Sequence, residues 1–391
     1  MRDPRFPALL VRSITCALFA FNFAGLVQAQ SCAPVAEWTL PGGSQIASRE
    51  IYARTAKSHI VLLGESHDDE DHHRWELQTI AALSAVQPKL VLGFEMFPRR
   101  VQPALDRWVR NELSEEEFLK ATDWPKVWGL PPALYMPLFQ FARLNRIPMV
   151  ALNVEREFVR EVGGSGFDSV ALDKREGVTK PAAASQAYLE RLLAVYSEHP
   201  DKKERPTRTD PAFQRFVEAQ LVWDRAMAQG LAEAAARDPQ ALVVGVMGSL
   251  HMTHNDGVPH QLANLGIKNV TTLLPWARSA DCKTLTAGIA TAVFGLPATA
   301  KTAAPSRPLL GITIDTTPAG VRVNAVSAGS VAEAAGLRVG DVLVEIAGSA
   351  VKDAAELRAI VGRTAPGTWL PMKARRQSET LELIAKFPAQ K

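Results

Sequence analysis

The chain of 391 residues is long enough for two or three domains with full cores. Its 47% apolar and 22% charged residues are ordinary for a globular protein. The formal charge of +3 resides largely in the first 29 residues, where Arg2, Arg5 and Arg12 face only Asp3; no basic block remains to argue for nucleic acid.

Residues 1–29 carry the pattern of a secretory signal: a positive start, an apolar stretch from Ile14 to Leu26, and small residues at Val27-Gln28-Ala29. The stretch is too short and too interrupted for a membrane span, and no other segment is a candidate, so the expected destination is the periplasm or the outside. Ala29 stands where a lipobox has an aliphatic residue, which favours ordinary cleavage over lipidation at Cys32. Cys32 and Cys282 are the two cysteines left after cleavage; a disulfide and two free thiols are both open.

From residue 30 to 285, short Val/Leu/Ile-rich runs alternate with helical patterns. The runs are His59–Glu65, Lys89–Glu95, Ile147–Asn153, Ala241–Met247 and Asn269–Leu274. They lack polar alternation, as strands buried on both faces do. Helices are expected over Asp71–Val86, over Ser114–Thr122 with a Ser114/Glu117 capping box, over Pro132–Asn145 and over Pro211–Arg237. This order predicts an α/β domain with a mostly parallel central sheet and flanking helices.

Four strands end in, or just before, a polar residue: Glu65, Asn153, Glu95 and His251. In an open parallel sheet these residues share the rim where ligands bind. Gly64-Glu65-Ser66-His67 and Gly248-Ser249-Leu250-His251 repeat one spacing, and six of the eight histidines lie in or near these two stretches. Residues 163–209 change texture, to glycines followed by charged residues and Ala, and fit either a lid or a helical insertion. Residues 286–307, rich in Ala, Thr and Pro, fit a linker.

Residues 308–391 form a smaller unit of short strands and two helices. Its Ala332-Glu333-Ala334-Ala335-Gly336-Leu337 run leads into Val339-Gly340-Asp341-Val342-Leu343, and a helix is expected over Lys352–Val361. This pattern resembles a PDZ domain of the bacterial protease-associated type, a small β-sandwich or barrel-like fold with two helices. The resemblance implies a carboxylate-binding loop at Leu309, Leu310, Gly311 and Ile312, and a peptide or protein C-terminus as partner.

The larger unit has Leu62-Leu63-Gly64-Glu65-Ser66-His67-Asp68 with His72 and His73, then Gly93-Phe94-Glu95-Met96. Gln220-Leu221-Val222-Trp223-Asp224 and Gly248-Ser249-Leu250-His251 follow. Together these resemble the ChaN group of the haem-binding uptake and Tiki-like superfamily. The resemblance implies haem or iron handling; the superfamily also holds metal-dependent proteases and antibiotic esterases, so fold alone leaves the chemistry open. For haem, the candidate ligands are His67, His72, Tyr135, His251 and His254. Trp124, Trp128 and Trp223 are candidates to stack on the porphyrin, and Arg99 or Arg100 to pair with propionates.

A hydrolase would use Glu65, His67, Glu95 and His251 on Zn, Mn or Fe, with one carboxylate as general base. An esterase without metal would use a histidine base and a Glu; the absence of GxSxG argues against a serine nucleophile. A scaffold that binds only through its PDZ unit is the third reading. Whether the protein is an enzyme, and whether it forms a homodimer, stays open at this stage.

Overall fold

The computed structural model describes residues 32–198, 206–298 and 309–389; residues 1–29, with the signal pattern, lie outside them. The chain divides into two compact units, at 299/300.

The first unit holds β1 (Trp38–Thr39), β2 (Gln45–Ile46), α1 (Ser48–Thr55), β3 (Ile60–Glu65), α2 (Glu70–Val86), β4 (Leu90–Pro98), α3 (Gln102–Val109), α4 (Glu115–Ala121) and α5 (Trp124–Val127). It continues through α6 (Met136–Leu144), β5 (Met149–Asn153), α7 (Arg156–Ser165), α8 (Gln186–Ser197), α9 (Pro211–Arg237), β6 (Leu242–Gly248), α10 (Val258–Asn264), β7 (Val270–Ala277) and β8 (Ala292–Leu296). The sheet order is β2-β1-β8-β7-β3-β6-β4-β5, parallel from β8 to β5, with β1 and β2 antiparallel at one edge.

The lack of polar alternation in the strands has a direct cause. Successive side chains point to opposite faces, and each face has its own core. Val61, Leu63, Leu92 and Val244 pack under α2, α3 and α6. Ile60, Leu62, Val91 and Val243 pack under α9 and α10. Burying each such aliphatic side chain contributes about 1.5–3 kcal/mol. The helices start where their caps are: Asp69 accepts from the amides of Asp71 and His72 at α2, and Ser114 and Glu117 form the expected capping box at α4. α9 opens on Pro211 behind Asp210.

One expectation changes, and one of two alternatives is selected. The stretch 286–307 is not linker throughout: Ala292–Leu296 is a buried strand pairing with β7 and β1. Short Ala- and Gly-containing strands have weak composition signals, and only sheet neighbours stabilise this one. In residues 163–209, the described part is a helical insertion, with α8 packing Tyr188 and Leu192 on Phe213 and Val217 of α9. Cys32 and Cys282 are free thiols; burial and the neighbouring Cys282 thiol push the Cys32 thiol up.

The second unit holds β9 (Ile312–Thr317), β10 (Gly320–Val326), α11 (Val331–Ala334), β11 (Val342–Ile346), β12 (Ser349–Ala350), α12 (Ala354–Gly362), β13 (Trp369–Arg376) and β14 (Glu379–Lys386). Its antiparallel order is β14-β13-β11-β10-β9. β9 is an edge strand, and α12 lies beside it, with the Ala354 amide donating to Thr316 Oγ1 at 3.0 Å.

Candidate functional site

Because β3, β4, β5 and β6 are parallel, their carboxyl ends meet at one rim. There Glu65 ends β3 opposite Gly248, Glu95 lies near the end of β4, and a tight turn after β6 carries His251. The rim floors a cleft of about 1680 Å³ whose walls include Trp128, Trp223, Lys126 and Gly164.

Glu65, His67, Glu95 and His251 all line this cleft, but they play different parts. Glu65 is buried. Its Oε1 lies 2.6 Å from His67 Nδ1 and accepts from the Tyr135 hydroxyl at 3.0 Å. With Glu65 ionised, Nδ1 of His67 carries the proton and Nε2 offers its lone pair. That Nε2 has no hydrogen-bond partner among the described residues. The His67 ring meets Trp128 edge-on, centroids 4.8 Å apart. Burial alone would lower the His67 pKa, but the Glu65 hydrogen bond and the Glu95 charge raise it.

His251 has a parallel arrangement. Its Nδ1 lies 2.6 Å from Asp224 Oδ1, deep on α9, and the Tyr188 hydroxyl of α8 donates to Asp224 Oδ2 at 2.9 Å. Its Nε2 points at Glu95 Oε1 across 3.6 Å. Burial opposes the charge on His251, but the Glu95 charge and the Asp224 hydrogen bond override it and push the pKa up to about 9. His251 is therefore an imidazolium at neutral pH. Glu95 is held in turn by the Gly248 amide, which donates to Oε2 at 2.7 Å.

Backbone fixes this geometry. Gly257 has φ 53° and ψ −119°, and a Cβ there would sit 2.4 Å from the His251 carbonyl oxygen. Gly257→Ala is expected to cost at least about 2 kcal/mol, from strained backbone and overpacking together. Urea denaturation checks this; a cost below about 0.5 kcal/mol would show that the turn yields freely.

The remaining sequence candidates have other roles. Tyr135 is fully buried, and its hydroxyl is committed to Glu65 and the His67 carbonyl, so it is a support for His67 rather than a ligand facing the cleft. His72 accepts from the Ser66 amide through Nδ1, and His254 sits on a left-handed turn whose amide donates to Ile289; neither lines the cleft. Arg99 turns away to the carbonyls of Glu176 and Ala226. Arg100 lines the cleft but is paired with Glu155. Trp124 is core. Nor do the four rim residues converge as one ligand set: among the described residues, the group whose ligand atoms do converge, within 4.8 Å, is Glu65, His73 and Glu76. Asp224, Tyr188 and Glu76 escaped assignment as site residues; their signal is a charge or hydroxyl set among apolar helical positions.

In the second unit, Leu310 and Ile312 contribute to the core and Leu309 is exposed. Gly311 has φ 78°, and a Cβ there would lie 2.4 Å from Ser330 Cβ. The loop runs directly into the edge strand β9.

Residues 51–262 match the family described as haem-binding uptake, Tiki superfamily, ChaN. The chain belongs to this family. Residues 322–376 match the PDZ domain family. Among solved structures, ChaN of Campylobacter jejuni with cofacially bound haem aligns at 18% identity and TM-score 0.52, over 66% of this chain and 95% of that one, which shows the shared fold. The HtrA3 PDZ domain with a phage-derived ligand aligns at 26% identity and TM-score 0.19, over 20% of this chain and 82% of that one. The serine endoprotease of Yersinia pestis aligns at 25% identity and TM-score 0.20, over 22% and 30%. A search of curated protein sequences finds no match.

Proposed function

We propose that the cleft of this ChaN-family unit binds haem with His67 Nε2 as the protein ligand, in an exported protein whose PDZ unit takes a peptide C-terminus. The observation that carries this is the state of His67: Nδ1 fixed on a buried carboxylate, Nε2 unpartnered beside a large cleft. A histidine that ligates a metal characteristically donates its other N–H to a carboxylate, which sets the tautomer and raises ligand basicity. The indole walls, Trp128 and Trp223, suit a flat apolar macrocycle, and Lys126, which has no ion pair among the described residues, suits a propionate. Bound haem would supply an iron centre for storage, transfer or redox chemistry. The protein's own contribution is to orient His67 through Glu65 and Tyr135. The family match supports haem over other flat ligands. Export rests on residues 1–29, and iron uptake on the family.

Titration of the full chain with haem, followed at the Soret band, tests the reading. Wild type is expected to saturate, His67→Ala to lose the shift, and Glu65→Gln to bind about 10–100-fold more weakly. An unchanged titration of His67→Ala would remove His67 as ligand. At the PDZ unit, the exposed edge of β9 beside α12 supports strand addition by a peptide.

One observation favours a second reading, hydrolysis. His67 and His251 are each backed by a buried carboxylate, with Glu95 facing His251, which is an acid–base arrangement able to activate water. Ser249 donates its hydroxyl to the Glu65 carbonyl and is not poised as a nucleophile. Turnover of ester or peptide substrates that His67→Ala abolishes, in protein unresponsive to haem, would put this reading first.

A further inference from the structure

Beneath the cleft floor, α2 brings His73 and Glu76 up against Glu65. His73 Nδ1 lies 2.9 Å from Glu65 Oε2 and 3.1 Å from Glu76 Oε2. All three side chains are at least 97% buried. One proton on Nδ1 hydrogen-bonds Glu76 Oε2 and leaves two carboxylate oxygens, Glu65 Oε2 and Glu76 Oε1, buried with no hydrogen-bond donor. The Glu65 oxygen is near Nδ1 but lies off the line of a hydrogen bond. Orphaned buried oxygens are rare and call for an explanation.

We propose that Glu65, His73 and Glu76 form a closed binding site for a divalent first-row cation such as zinc, manganese or iron(II). A cation bonds oxygens without needing a donor aligned on them, so one ion among these three side chains meets the Glu65 orphan directly and compensates the buried Glu76 carboxylate. Metal–ligand bonds of about 2.1 Å at near-right angles place donor atoms about 3 Å apart, as His73 Nδ1 is from Glu65 Oε2 and Glu76 Oε2, and one ligand atom from each of the three residues lies within 4.8 Å of the others. One imidazole and two carboxylates suit these borderline metals. The outer contacts are those of a ligand set. His73 Nε2 is anchored on the His67 carbonyl at 3.2 Å, and Tyr135 holds Glu65 through its other oxygen, Oε1. The site is separate from the haem reading: His67 and His251 contribute no ligand to it. It bears on the cleft only through Glu65, whose Oε1 stays on His67 while the ion clamps Oε2.

The full chain is expressed in medium supplemented with cobalt(II), dialysed against a chelator, and its cobalt counted by mass spectrometry. About one equivalent is expected in wild type and in the His67→Ala/His251→Ala double variant, and background in Glu76→Gln. Glu76→Gln is nearly isosteric, and its amide offers a donor to the remaining orphan, Glu65 Oε2, so it should fold. Wild type without cobalt overturns the proposal, as does cobalt retained by Glu76→Gln. Cobalt lost from the double variant moves the ion to the cleft and also overturns it. X-ray absorption on wild type decides independently of any variant: one imidazole nitrogen with oxygens otherwise is expected, and sulfur or several imidazoles would exclude this site.

Discussion

Replacing Asp224 with alanine is expected to destabilise the first unit by about 3–5 kcal/mol. Asp224 is completely buried on α9 and holds two partners, His251 Nδ1 at 2.6 Å and the Tyr188 hydroxyl at 2.9 Å. Its own pKa is pushed up by burial and held in check by these contacts. Removing the carboxylate leaves the His251 imidazolium with Glu95 at 3.6 Å as its remaining counter-ion, and takes from the Tyr188 hydroxyl its charged acceptor. The penalty is that of a broken buried pair, larger than any exposed ion pair on the molecule can contribute. Asp224→Asn keeps the shape and a Tyr188 acceptor but loses the charge, so it should fall between alanine and wild type. Urea unfolding followed by tryptophan fluorescence measures both, since seven of the eight tryptophans belong to this unit. A cost below about 1 kcal/mol for alanine would mean that the His251 arrangement is not an ionised pair.

Stability of the same unit is expected to fall as pH rises from about 6.5 to 10. Two buried histidines set the sign. His251 has its pKa raised to about 9, and His73, held by Glu65 and Glu76 against the effect of burial, to about 10. A histidine raised in the folded state contributes stability that is fully present below its unfolded pKa of about 6.5 and is lost as pH climbs through the folded value. Glu76 acts in the same direction: burial and the Glu65 charge raise it to about 8, so the folded chain keeps a proton that the unfolded chain has released. At about 1.4 kcal/mol per proton per pH unit, the His251 proton alone is worth on the order of 3 kcal/mol between pH 6.5 and 9. The urea midpoint, measured in steps across this range, should decline, and Asp224→Asn should flatten the decline. A midpoint that holds steady or rises would show that these histidines are neutral when folded. An ion at Glu65, His73 and Glu76 would remove the contributions of His73 and Glu76, leaving the His251 part.

The five apolar runs, and with them the parallel sheet, were legible in the sequence because burial on two faces demands unbroken Val, Leu and Ile. The rim was legible for a related reason: Glu65, Glu95 and His251 interrupt apolar runs at the point where a parallel strand must leave the sheet. The PDZ pattern was legible from the glycines and the turn before Val342. Local sequence did not reveal β8, whose stability comes from its neighbours, or which histidine would face the cleft. His67, His72 and His73 lie within seven residues of one another, yet one meets the cleft, one caps a backbone amide, and one is sealed between two carboxylates. That division depends on α2 starting at Glu70 and turning His73 inward against β3. The partners that set each histidine's proton, Glu76 on α2, Tyr135 beside α6, Tyr188 on α8 and Asp224 on α9, come from helices whose packing is non-local. Composition and periodicity determine which residues are buried; which buried charges meet is decided only when the helices dock on the sheet, because ion pairing falls off over a few ångströms that no one-dimensional pattern records.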